Sequence, residues 1–106
     1  SRIRQAKMDA YMARNEAEVN LRTLTNRLTE LQARLRQYDD RLRYYVGSAL
    51  PEAEVLMRAA KLQLANSETS IAEYIMSLNS ALEICRGYIE TFNQYNIAAL
   101  EYELYR

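Results

Sequence analysis

The stretch Asn66-Ser67-Glu68-Thr69-Ser70-Ile71-Ala72-Glu73 decides the fold of this chain. Ser70 and Glu73 have the S-x-x-E spacing of a capping box, which satisfies free backbone N–H groups at the start of a helix. Asn66 is a residue type that often ends a helix. The stretch therefore predicts that one helix ends at Asn66, that the chain reverses over residues 67–70, and that another helix begins after the N-cap Ser70.

The composition on either side of this reversal favours helix. Only two of the 106 residues are Gly and one is Pro, while 49% are hydrophobic and 26% are charged. Folds built on sheets need many turns, and average proteins contain about 7% Gly and 5% Pro. The sequence therefore predicts one all-α domain over residues 1–106, a long antiparallel helical hairpin of coiled-coil type.

A second interruption lies at residues 47–51. Gly47 suits the left-handed position that follows a helix, and Pro51 suits the first turn of the next one. The predicted elements are a helix over about 2–46, a kink at 47–51, and then a helix over 51–66, a turn at 67–70 and a helix over 71–105.

Apolar residues recur at alternating spacings of three and four in both arms, which is typical of a coiled-coil seam. In the first arm the seam is predicted to be Leu21, Leu24, Leu28, Leu31, Leu35, Tyr38, Leu42 and Tyr45. In the second arm it is predicted to be Ile71, Ile75, Leu78, Leu82, Cys85, Ile89 and Phe92, continuing to Ala99. Cys85 is accordingly expected to be a buried, small apolar residue.

A line of tyrosines at intervals of seven runs beside the seam of the second arm: Tyr74, Tyr88, Tyr95 and Tyr102, with Ala81 in the missing place. A helix with two apolar stripes packs against more than one neighbour. The first arm is also longer than the second, so residues 1–30 are expected to overhang. Either the chain folds back at Gly47 as a three-helix bundle, or another chain covers the overhang; we favour association.

Charge is divided between the arms. Residues 1–46 contain ten basic and six acidic side chains, whereas residues 67–106 contain two basic and six acidic ones. Opposite charges favour pairing of the two arms. The net charge of the whole chain is zero, and basic side chains are interspersed with acidic ones, so nucleic acid is not an expected partner.

Several kinds of chemistry are not expected. The chain has no His and a single Cys, so no general base, nucleophile pair or cysteine cluster can be named, and neither an enzyme nor a cofactor site is predicted. Met8 and Met12, one helical turn apart, could bind a soft metal such as Cu(I), but flexible apolar filling is the plainer interpretation. No apolar run is long enough to span a membrane.

The chain resembles the TolC family of outer-membrane efflux channels, and in particular the variants that accompany heavy-metal pumps of the resistance-nodulation-division type. The resemblance covers nearly the whole chain but only one helical hairpin of the family. It rests on Arg4-Gln5-Ala6-Lys7, Tyr44-Tyr45-Val46-Gly47-Ser48-Ala49-Leu50-Pro51-Glu52-Ala53-Glu54, Leu64-Ala65-Asn66-Ser67-Glu68-Thr69-Ser70-Ile71-Ala72-Glu73-Tyr74-Ile75 and Tyr88-Ile89-Glu90-Thr91-Phe92-Asn93-Gln94-Tyr95-Asn96.

The resemblance implies a hairpin belonging to a larger trimeric protein of the Gram-negative outer membrane, located in the periplasm and not itself embedded in the membrane. Its helices would help to form a tunnel that exports drugs or metal cations together with an inner-membrane pump. The hairpin tip, Ser67, Glu68, Thr69 and Ser70, would contact a periplasmic adaptor protein.

The tip departs from the family pattern, which is roughly G-E-I-S-x-L-E-V-L-D. Ser67 stands where Gly is usual, Thr69 where an apolar residue is usual, and Met76 where a second acidic residue is usual. Glu73 matches the first acidic position and is a candidate pore-lining charge, although a capping role explains it as well. A generic coiled-coil or spectrin-like scaffold module remains the alternative function for the whole chain.

Overall fold

The computed structural model describes all 106 residues. It contains α1 (Arg2–Tyr44), a π-helical turn (Tyr45–Ala49, hereafter the π-turn), α2 (Leu50–Ala65) and α3 (Ile71–Tyr105). The first three form one continuous ascending arm, and α3 returns antiparallel to it, so the predicted all-α hairpin is confirmed. The molecule measures 92 × 23 × 15 Å. The three-helix alternative is not adopted, because α1 and α2 are successive parts of one rod and both pack on α3.

The interruption at residues 47–51 is a wide helical turn rather than a break. In the π-turn the backbone N–H of Leu50 donates to the carbonyl of Tyr45, five residues earlier. Pro51 explains this location, because it has no N–H to donate to the carbonyl of Gly47, four residues before it. The prediction of a left-handed Gly47 is wrong, since neither Gly in the chain has a positive φ.

The π-turn keeps the seam of the ascending arm facing α3. Covered residues follow the three-and-four spacing up to Ala49, and the spacing resumes one residue later, from Leu50. A π-turn accommodates one additional residue in a helix, so Ala49 and Leu50 together occupy one place in the seam. The covered residues of this seam are Leu24, Leu28, Leu31, Leu35, Tyr38, Leu42, Tyr45, Ala49, Leu50, Ala53, Met57, Ala60 and Leu64. Arg27, Asp39 and Ser48, beside the seam, are also half-buried.

The face that α3 turns towards the ascending arm is the tyrosine line. This inner line consists of Tyr74, Ala81, Ile84, Tyr88, Thr91, Tyr95, Ala98 and Tyr102, all of which are buried or half-buried. The predicted main seam of α3 was therefore assigned to the wrong stripe. Cys85, expected to be buried in that seam, is exposed. Thr91 and Ala98 are the two buried residues of α3, and Leu31, which lies close to Ala98, is completely buried.

The overhang is shorter than predicted. Every residue from 1 to 23 is exposed, and residues from Leu24 onward begin to be covered. Arg27 makes the first hydrogen bond to α3, to Glu101. The unsupported segment is therefore about 23 residues long instead of 30, because the C-terminal turns of α3 reach further along α1 than the predicted geometry allowed.

Candidate interaction surfaces

The hairpin tip is a tight reversal held by backbone hydrogen bonds. Asn66 ends α2, as predicted. The N–H of Ser67 donates to Leu64 (3.1 Å) and the N–H of Glu68 donates to Gln63 (2.8 Å). This is the Schellman pairing, which requires a left-handed residue at the first position after the cap. Ser67 supplies it with a φ of 57°.

The start of α3 is capped as the sequence predicted. Ser70 has extended backbone geometry, and its Oγ accepts a hydrogen bond of 3.1 Å from the backbone N–H of Glu73. The Glu73 carboxylate does not complete a reciprocal box; it accepts a hydrogen bond of 2.6 Å from the hydroxyl of Thr69. Ser67, Glu68 and Ser70 are exposed, whereas Thr69 is half-buried. The tip is therefore an ordered polar surface.

The predicted main seam of α3, up to Phe92, is the second surface, here named the outer stripe: Ile71, Ile75, Leu78, Leu82, Cys85, Ile89 and Phe92. Ala99, at the end of the predicted seam, is half-buried and is not part of this surface. Its members are all exposed, from 37% at Leu78 to 69% at Ile71. Ile75 and Ile89 directly follow Tyr74 and Tyr88 of the inner line, so the two stripes lie about 100° apart around α3. The outer stripe is about 32 Å long.

The ascending arm is also apolar on its outer side near the tip. Val46, Val55, Leu56 and Leu62 are each about 60% exposed, between 59% and 65%. The remainder of the outer side, along α1, is rich in charged and amide side chains. Isolated exposed apolar residues are normal on protein surfaces, but a run of this extent on both arms indicates an interaction surface.

One ion pair joins the two arms. The guanidinium of Arg27 donates to both carboxylate oxygens of Glu101, at 2.7 and 2.8 Å, and also to Glu30 of its own helix. The hydrogen bonds that Arg27 donates to Glu101, and then to Glu30, raise the pKa of Arg27 above its usual value. The other ion pairs lie within single helices. The charge difference between the arms is thus largely left unpaired within the hairpin.

An aromatic cluster surrounds the π-turn. Tyr45 meets Tyr88 edge-on with ring centroids 6.1 Å apart, and Tyr44 and Phe92 extend the cluster on either side. Tyr45 also lies directly against the backbone of Gly87. Sequence reasoning did not find this cross-arm contact, although the seven-residue recurrence that contains Tyr88 was its visible signal.

Met8 and Met12 lie in the unsupported part of α1, half exposed to solvent. No group of three or more His, Cys, Asp or Glu side chains is arranged to hold a metal ion. None of the helices combines the length and the hydrophobicity that crossing a bilayer requires.

Comparison with known proteins adds no relative. No protein-family model matches the chain, and neither the curated proteins nor the solved structures give a significant match.

Proposed function

We propose that this chain is a tunnel-forming helical hairpin of an outer-membrane efflux channel of the TolC type. In the complete channel, three copies would line a periplasmic conduit that carries drugs or metal cations out of a Gram-negative cell. The hairpin contributes walls and a docking tip rather than catalysis.

The outer stripe of α3 is the observation that carries this proposal. A hairpin that functions alone needs one apolar face on each helix, facing the other arm. α3 has two, about 100° apart, and only the inner line is used within the hairpin. A helix with two such seams has neighbours on two sides, as each helix in a closed ring of helices does.

Exposed apolar residues of the ascending arm are available to that second neighbour. Val46, Val55, Leu56 and Leu62 lie in the π-turn and α2, at the level of the outer stripe. The ascending arm carries an excess of basic side chains and α3 an excess of acidic ones. Side-by-side hairpins that alternate ascending and descending helices therefore place opposite charges next to each other, which sets the pairing order.

The tip fits a docking role in such a channel. Its backbone is fixed by the Schellman pairing and by the Ser70 cap, while the exposed side chain of Glu68 is free to meet a partner. We propose that Ser67, Glu68, Thr69 and Ser70 contact the periplasmic adaptor, which couples the channel to the inner-membrane pump. Glu73 holds Thr69 and places a negative charge close to the mouth of the tunnel.

Transport by the complete channel tests the proposal. Glu68→Lys is the most informative variant, because the Glu68 side chain makes no hydrogen bond or ion pair in the hairpin and its loss leaves the fold intact. We expect this variant to lose adaptor binding and export while its helical circular dichroism is unchanged. Glu90→Lys, an equal charge reversal on the exposed surface of α3 away from the tip, serves as the matched control and should transport normally.

Two results would argue against this function. Normal export and adaptor binding by Glu68→Lys would remove the docking role of the tip. Equal loss of export in the Glu68→Lys and Glu90→Lys variants would indicate a general effect of charge instead of a specific contact. A scaffold module predicts no transport phenotype for either substitution.

A further inference from the structure

The three residues that most weaken a helix all lie at one level of the hairpin. Gly47 lies within the π-turn and Pro51 follows it at the start of α2, and Gly87 lies opposite in α3, against Tyr45. The chain contains no other Gly or Pro. All the Gly and Pro residues of a molecule 92 Å long therefore lie at one level along its length.

The ascending arm lacks one regular helical hydrogen bond at this level. Pro51 leaves the carbonyl of Gly47 without the N–H that a regular helix would supply. A methyl group added at Gly47 would meet no heavy atom within 4 Å, so nothing packs on that side of the turn. Bends in helices concentrate at Pro, at π-turns and at Gly, and this segment contains all three.

The contact across the arms at this level differs from the rest of the seam. The hydroxyl end of Tyr45 lies against backbone, because Gly87 has no side chain, and the Tyr45 ring meets Tyr88 edge-on. One side of the contact at Gly87 is therefore bare backbone, at the level where the π-turn allows the ascending arm to bend.

We propose that this cross-section is a hinge, at which the tip half of the hairpin (residues 50–84) bends relative to the base half (residues 24–44 and 88–105). Tyr45 and Gly87 form the pivot, and the π-turn absorbs the change in the backbone. The inference does not depend on the proposed function. In a tunnel of such hairpins, the same motion would move the tips without opening the seams on either side of the hinge.

Distances between spin labels measured by double electron–electron resonance test the hinge in the chain itself. Cys85 is first replaced by Ser, and labels are attached to cysteines introduced at exposed positions. The pair Ala33→Cys and Lys61→Cys spans the hinge at about 42 Å, and the control pair Asn26→Cys and Asp40→Cys lies within straight helix at about 21 Å. We expect the distance distribution across the hinge to be broader than that of the control pair.

A variant without the hinge provides the decisive comparison. Deleting Gly47 together with Pro51→Ala removes the extra residue and restores the missing N–H, so the arm becomes regular α-helix with an unbroken seam. The distribution across residues 33 and 61 should then narrow to the control width. If circular dichroism shows that this variant is not folded, Gly47→Ala with Pro51→Ala replaces it. Equal widths in the wild-type chain, or no narrowing in the folded variant, would refute the hinge.

Discussion

The ring of Tyr45 occupies the space that a side chain at residue 87 would fill: a Cβ built on Gly87 would overlap the Tyr45 hydroxyl. Gly87→Ala should therefore displace the ring and destabilise the hairpin by about 1–3 kcal/mol, the usual effect of overpacking. The measurement is urea denaturation followed by circular dichroism.

Gly47→Ala is the matched control for this substitution, because it faces open space. It should stabilise the chain by about 0.5–1 kcal/mol, since Ala has the higher helix propensity. Tyr45→Phe removes the overlapping hydroxyl and should partly rescue Gly87→Ala. Equal effects of the two Gly substitutions would show that the close approach of Tyr45 has no energetic consequence.

Adjacent residues of α3 should differ sharply in their importance for the hairpin. Tyr88 belongs to the inner line and is half-buried, whereas Ile89 belongs to the outer stripe and is 57% exposed. Tyr88→Ala should lower the free energy of unfolding of the monomer by about 2–3 kcal/mol, and Ile89→Ala should change it by less than about 0.5 kcal/mol. The reverse order, measured at dilute concentration, would mean that the outer stripe faces the ascending arm.

The same two residues show where the sequence was sufficient and where it was not. The seam of the ascending arm could be predicted because α1 has one apolar stripe between Leu24 and Tyr45, and that stripe faces α3. α3 has two stripes of the same period. The apolar side chains of Ile89 and Phe92 made the outer stripe look like the core, but the buried stripe is the inner line, whose tyrosines are interspersed with the small residues Ala81, Thr91 and Ala98.

The π-turn could not be predicted from helix propensities, because Gly47 followed by Pro51 is equally compatible with a helix break. The decisive fact is the one-residue shift of the seam between Ala49 and Leu50, which only the structure reveals. The tip was predictable in more detail, since the Asn66 and Ser70 caps depend on local hydrogen bonds alone.

Two substitutions in the turn should change the stability of the hairpin in opposite directions. Ser67→Gly relieves a left-handed backbone and should stabilise the hairpin by about 1 kcal/mol. Ser70→Ala removes the N-cap hydrogen bond to Glu73 and should destabilise it by about 1 kcal/mol. Thermal unfolding measures both effects. A loss of stability in Ser67→Gly would contradict the strain assigned to that residue.

Deleting single residues should distinguish the π-turn from regular helix. Removal of Gly47 combined with Pro51→Ala leaves the seam facing α3 on both sides of the deletion. Removal of Gln37, in the regular part of α1, rotates every seam residue on one side by about 100° and should greatly reduce helicity and stability. Similar effects of the two deletions, measured by circular dichroism and denaturation, would contradict the assigned register.

Arg27 should stay protonated, and the ion pair with Glu101 should therefore persist, as the pH rises above neutrality. The pKa of Arg27 is raised above its usual value by Glu101 and Glu30. When folding raises the pKa of a basic group, the group contributes its full stabilisation at any pH below its pKa in the unfolded chain. That stabilisation is lost only as the pH rises through the higher pKa of the folded chain. Between pH 7 and 10, by this reasoning, stability should not fall because of Arg27.

Glu101→Gln should lower the denaturation midpoint more than Glu103→Gln, because Glu103 pairs only with Arg106 of its own helix. The difference should shrink at high salt, which screens the half-exposed pair. Equal midpoints for the two variants would mean that the contact between the arms contributes nothing.

The reactivity of Cys85 towards a maleimide tests most directly whether a neighbouring hairpin covers the outer stripe. Cys85 lies within that stripe and is exposed in the single hairpin. In Cys85→Ser, a cysteine introduced by Ser80→Cys provides the control, because residue 80 is exposed on the opposite side of α3. We predict that both thiols react readily in the isolated chain, and that in the assembled channel Cys85 becomes protected while the control does not. Undiminished reactivity of Cys85 in the assembled protein would contradict the proposal that α3 has a second neighbour.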